Sequence, residues 1–65
     1  MATIAGTIQN LSNGIFHVKD ENGNIRVLKE GDTIYENDTV YGDSTNTASS
    51  KVEILLSGND VIVLN

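Results

Sequence analysis

Lys51-Val52-Glu53-Ile54-Leu55-Leu56-Ser57-Gly58-Asn59-Asp60-Val61-Ile62-Val63-Leu64 is the stretch that decides the fold. Val52, Ile54 and Leu56 recur at every second residue, with Lys51 and Glu53 on the opposite side. A period of two is the mark of a strand with one buried face. Ser57-Gly58-Asn59 is a turn signal, and residues 60–64 return as a second strand.

The same grammar extends toward the N-terminus. Residues 3–9 read as a strand with Ile4 and Ile8 on one face. Gly6 between them points to a bulge or a close backbone approach. Asn13-Gly14 is a turn, and residues 15–19 form a strand with Phe16 and Val18 inward and His17 outward. Residues 20–24 read as a hairpin loop, because Asn22-Gly23 tolerates the positive φ of a type I′ turn. Residues 25–29 are the next strand, and Lys29-Glu30-Gly31-Asp32 the next turn. Thr33-Ile34-Tyr35 reads either as a short strand or as an irregular crossing. Glu36-Asn37-Asp38 turns the chain again, into a strand at Thr39-Val40-Tyr41. Residues 42–50 are poor in apolar side chains and rich in Ser, Thr and Asn. They read as a long surface loop, the least ordered part of the chain. No repeat, Pro-rich linker or low-complexity tract is read.

The expected fold is all-β: a small single-domain β-sandwich, or a curled antiparallel barrel-like sheet, of about six short strands. Val27 beside Leu28, Leu55 beside Leu56, and the run from Val61 to Leu64 are apolar on both faces. Such strands lie between layers, or in an intimate dimer. The expected core is Ile4, Ile8, Phe16, Val18, Val27, Leu28, Ile34, Val40, Val52, Ile54, Leu56 and Ile62.

Composition narrows the function. A chain of 65 residues is one small domain. It buries only about 60% of the surface that its unfolded form exposes, so its stability is marginal. With no cysteine it has neither disulfide staples nor a Cys-based zinc site. Four basic residues against nine acidic ones give a net charge of −5. That balance repels a nucleic-acid backbone and an anionic membrane surface. The opening residues do not read as a classical secretory signal. No apolar run approaches the roughly 20 residues of a bilayer span.

Residue chemistry points away from catalysis, and no catalytic, cofactor-binding or metal-ligating residue is assigned. His17 is the only histidine and reads as an exposed strand residue. No serine has a context that suggests activation. The acidic residues sit mainly in turns, where Asp and Asn cap the local backbone. Asp20, Asn22 and Asn24 have the spacing that opens a calcium loop. The glycine that loop needs is replaced by Ile25, and its bidentate glutamate position falls on Gly31. Asn10-Leu11-Ser12 and Asn37-Asp38-Thr39 are glycosylation-type triplets of the sort an Asn-rich chain produces by chance.

The order of pieces resembles one family. Gly6-Thr7-Ile8 is followed by the Phe16/Val18 strand, Asn22-Gly23, then Arg26-Val27-Leu28-Lys29-Glu30-Gly31-Asp32. Val40-Tyr41 and the Leu56-Ser57-Gly58 turn complete the series. The series resembles the N-terminal retention module of giant type I-secreted RTX adhesins, the biofilm and surface adhesins of Gram-negative bacteria. The likeness covers roughly Ile4 to Leu64, and the start at Met1 matches the family's order. It implies that residues 1–65 are a fragment of a much longer adhesin. It also implies a non-enzymatic role without cofactors, on the periplasmic side of the outer membrane or at the cell surface. There the folded module plugs a TolC-like outer-membrane pore and is not itself inserted in the membrane. A periplasmic cysteine protease then releases the adhesin by cutting a dialanine linker. The only alanines are Ala2, Ala5 and Ala48, so that linker is expected beyond Asn65. A FecR-like periplasmic protein-binding or signalling module has a related Gly-Asp and Leu-x-Gly rhythm and is the alternative. A small enzyme or ligand-binding domain is the third reading, favoured by a polar-lined pocket holding His17 with a carboxylate.

Overall fold

The computed structural model describes residues 3–64. Seven strands follow one another without a helix: β1 (Ile4–Ser12), β2 (Phe16–Lys19), β3 (Ile25–Val27), β4 (Thr33–Tyr35), β5 (Thr39–Gly42), β6 (Lys51–Leu56) and β7 (Val61–Leu64). They form two antiparallel sheets, one of four strands in the order β4-β1-β6-β7 and one of three in the order β3-β2-β5. Thr33-Ile34-Tyr35, ambiguous in sequence, is therefore a strand. It pairs with the first half of β1.

The two sheets share one core. Ile8, Ile34, Val52 and Ile54 come from the larger sheet, Phe16 and Val18 from the smaller, and Leu28 from just beyond β3. Phe16, Val18 and Val52 are wholly buried. Their alternation with His17, Lys51 and Glu53 follows from the period of two. Of the two all-β forms the sequence allows, this arrangement is the sandwich-like one, with seven strands rather than about six.

Three expected core residues are exposed. Ile4 is 53% exposed, Val27 53% and Ile62 47%. Val27 pairs with His17 on the outer face of the smaller sheet, and it is the next residue, Leu28, that turns inward. Ile4 precedes the register shift between Ile4 and Gly6, at the end of the larger sheet. Ile62 pairs with buried Ile54 and so shares its inner face, but four strands stand against three. Val40 and Leu56 are half-buried and pack against the core.

Gly6 fulfils its expectation. The register shifts beside it, and a Cβ there would lie 2.6 Å from the Leu55 carbonyl oxygen. Only a residue without a side chain lets β1 and β6 run this close.

Two turn readings change. Residues 20–24 do make a hairpin loop, but Asn22 has no positive φ, so the turn is not type I′. Gly23 N–H donates to the Asp20 carbonyl at 3.0 Å, and Asp20 N–H donates to the Asn24 carbonyl at 2.9 Å. With Gly23 alone at φ +89°, this is a type I turn followed by a glycine bulge. A short repeat also exists where none is read from sequence: Glu30-Gly31-Asp32-Thr33-Ile34-Tyr35 and Glu36-Asn37-Asp38-Thr39-Val40-Tyr41. Both copies turn alike. Gly31 and Asn37 take φ +91° and +74°. Asp32 Oδ2 accepts the Lys29 N–H and Asp38 Oδ2 accepts the Tyr35 N–H, each at 2.9 Å. At six residues, the period is far below that of a structural repeat.

Candidate functional site

The richest polar arrangement lies where residues 43–50 cross back over the Asn13-Gly14 turn. Asn46 Oδ1 accepts the Ile15 N–H at 2.8 Å, and Asn46 Nδ2 donates to the Ile15 carbonyl at 2.8 Å. Ser50 is completely buried. Its hydroxyl donates to the Asn13 carbonyl and accepts the Thr47 N–H. Gly14 sits inside this clasp, where a Cβ would come within 2.6 Å of Ser50 Oγ and 2.7 Å of Asn46 Oδ1. The segment is the long surface loop expected, and side-chain hydrogen bonds pin it to the start of β2. Asn46 and Ser50 have no sequence signal of their own, beyond being residues whose short polar side chains bond readily to backbone groups.

His17 is not a free surface histidine either. It lies on the outer face of β2, half-buried, and its Nε2–H donates to Asp43 Oδ1 at 2.9 Å. Its ring lies 5.3 Å from that of Tyr41, its register partner on β5. Asp43 Oδ2 accepts the Thr45 hydroxyl at 2.6 Å and the Thr45 N–H at 3.0 Å. The Thr45 hydroxyl, then His17, hold the Asp43 carboxyl down at about 2.

Histidine beside a carboxylate is half of the condition that favours an enzyme. A cleft of about 190 Å³ lies elsewhere, lined by Asp20, Glu21, Asn22, Arg26, Tyr35, Glu36 and Asp38. The Ser50 hydroxyl is committed to Asn13 and shielded from solvent, so it cannot serve as a nucleophile.

The cleft's own polar groups serve the backbone. Asp20 Oδ1 accepts the N–H groups of Asn22 and Asn24, each at 2.9 Å. The bond from Asn24 N–H is the main cause of Asp20's lowered pKa. Asp38 caps Tyr35, and Arg26 Nη2 donates to the Thr33 carbonyl at 2.9 Å. Among the described residues no group of three or more His, Cys, Asp or Glu side chains converges as a metal site would. No family profile, curated protein or solved structure matches this chain.

Proposed function

We propose that this chain is a folded plug: a retention module that holds a type I-secreted RTX adhesin in a TolC-like outer-membrane pore until a periplasmic protease cuts the linker beyond it. The observation that carries the reading is the bulk and wiring of the fold. The module measures 35 × 27 × 14 Å with a radius of gyration of 11.3 Å. A single extended strand is only about 5 Å across in the pairing direction. A channel wide enough only for an unfolded chain therefore stops the folded module.

The wiring resists a pull from the C-terminal side. A tether leaving Leu64 draws first on β7, which is bound to β6 from Leu55↔Val61 to Val52↔Leu64. β6 is bound in turn to β1 from Gly6↔Leu56 to Ser12↔Lys51. β1 is internal to its sheet, with β4 on its other edge. When β7 is drawn along its own axis into a pore, its ladder bonds are loaded together rather than one at a time. The relevant quantity is the unfolding rate under load, not the equilibrium stability alone.

The experiment places this chain ahead of a type I-secreted RTX passenger in a Gram-negative host that lacks the periplasmic protease. The passenger should remain cell-bound with the module and appear in the medium without it. Equal release from both would overturn the proposal.

A further inference from the structure

The sheet edges are treated unequally. On β4, Asp38 closes the Tyr35 peptide from both sides: its carboxylate accepts the Tyr35 N–H, and its own N–H donates to the Tyr35 carbonyl at 3.1 Å. Arg26 takes the Thr33 carbonyl. That edge is capped. β3 is open, but only over three residues, and it carries Arg26 at its centre. β5 is flanked by Asp38 and Asp43.

β7 has no such protection. Val61-Ile62-Val63-Leu64 has no charge, proline or glycine, and no bulge interrupts its pairing. Leu56 N–H donates to the Asp60 carbonyl, so the next pair along, Leu55 with Val61, is a non-bonded one. The N–H and C=O groups of Val61 and Val63 therefore point away from β6. Among the described residues, nothing meets them. Arg26 brings β3 alongside β4, which leaves β7 as the surplus strand of four against three. The exposure of Val61 (46%), Ile62 (47%) and Val63 (53%) agrees with that position. Natural sheets rarely leave an apolar edge bare in this way.

We infer that the edge of β7 pairs with β7 of a second copy, antiparallel about a two-fold axis through Ile62. In this register Val61 and Val63 of each copy exchange N–H···O bonds with Val63 and Val61 of the other. Ile62 meets its own counterpart on the inner face, and two four-stranded sheets become one continuous sheet. Self-pairing of β3 would instead set Arg26 against Arg26. The occupant is a second copy because the edge is uncharged and its outward N–H and C=O groups, at Val61 and Val63, are self-complementary about Ile62. In a chain of net charge −5, two copies can meet here without facing carboxylates, since Asp60 falls opposite Leu64 rather than Asp60. The exposed strand offers on the order of 300 Å² per copy, against roughly 800 Å² per partner in a standard interface. The dimer is accordingly weak and forms reversibly at high local concentration. This inference does not rest on the retention role.

Sedimentation equilibrium of the 65-residue chain, from about 10 μM to about 1 mM, tests it. The mass should rise toward that of a dimer. Val63→Lys and Val63→Pro alter an outward position whose N–H has no partner among the described residues. Both should stay monomeric with an unchanged strand spectrum, and Val63→Lys alone suffices if the proline variant misfolds. The chain has no cysteine, so Ile62→Cys provides a clean reading of register. Facing residues of a non-bonded pair lie about 4.5 Å apart at Cα, within disulfide reach. Ile62→Cys should oxidise to a dimer at least about tenfold faster than Ser44→Cys, placed on the exposed loop. A wild-type chain that remains monomeric at about 1 mM would overturn the inference. So would dimers of Val63→Lys as strong as wild type, or equal oxidation of the two cysteine variants.

Discussion

Asn46 grips Ile15 by both polar groups of its backbone, accepting the N–H and donating to the carbonyl, each at 2.8 Å. The side-chain amide takes the place that a neighbouring strand would take. It joins the loop after β5 to the entry of β2, residues 31 apart in sequence.

Asn46→Ala should therefore destabilise the fold by about 1–2 kcal/mol, the net loss of two hydrogen bonds partly replaced by water. Asn46→Asp should cost more at neutral pH, because a carboxylate oxygen would then face the Ile15 carbonyl. Urea denaturation of the three proteins measures both differences. If the Asp variant matched wild type, the grip would not be an amide-specific one.

Acid should weaken the fold through Asp43. Its folded carboxyl titrates at about 2, below the ordinary 3.8. A carboxyl lowered by folding stabilises the native state only while ionised. Its contribution is complete above about 3.8 and is lost as the pH falls toward about 2. Asp20 acts in the same direction. Asp43→Asn should melt below wild type at neutral pH, and the gap should close as the pH reaches 2. A gap that stays constant across that window would show that the carboxylate's charge is not what matters.

Burial separates two isoleucines that face each other across β6 and β7. Ile54 is 4% exposed and Ile62 47%. Ile54→Ala should cost about 2–5 kcal/mol, enough to unfold so small a domain. Ile62→Ala should cost under about 1.5 kcal/mol in the dilute chain. Thermal melts at low micromolar concentration give both, and equal losses would mean that β7 is covered in the monomer.

Gly14 tests the clasp from inside. A Cβ there would press on Ser50 Oγ and Asn46 Oδ1 together. Gly14→Ala should cost about 1–3 kcal/mol as overpacking. Combined with Ser50→Ala it should cost less than the sum of the two single changes, since they share one contact.

The strands were legible because alternation is written in single residues: Val52, Ile54 and Leu56 announce β6 without any tertiary knowledge. Alternation gives the face of a side chain but not whether an opposite layer reaches it. For that reason Ile62, on the inner face, is still exposed, whereas Val27 lies on the outer face because the period of two sends only one of the neighbours Val27 and Leu28 inward. The hairpin at Asp20 was legible from its Asn-Gly pair, while its turn type depended on Asp20 binding two backbone N–H groups. The clasp of Asn46 and Ser50 was hidden because its partners, Ile15 and Asn13, are distant in sequence and offer only backbone atoms. The repeat at Glu30 and Glu36 was visible in the letters, but six residues is too short a period to suggest a structural unit. The bare edge of β7 is legible only in the assembled sheets, where β4 is capped, β3 is short and carries Arg26, and β5 is flanked by Asp38 and Asp43.

The central claim is that a folded module, rather than an adhesive surface, does the holding. The direct measurement is the ratio of cell-bound to released passenger in the protease-deficient host, for wild type, Val52→Asp and Lys51→Ala. Val52 is wholly buried, so a carboxylate there has no partner and the fold is lost. Lys51 is half-exposed, and its 3.5 Å contact with Glu53 is a surface ion pair of little worth. The expected result is release of the Val52→Asp passenger into the medium and retention of the Lys51→Ala passenger at the wild-type level. Full retention of a Val52→Asp chain shown to be unfolded would contradict the plug.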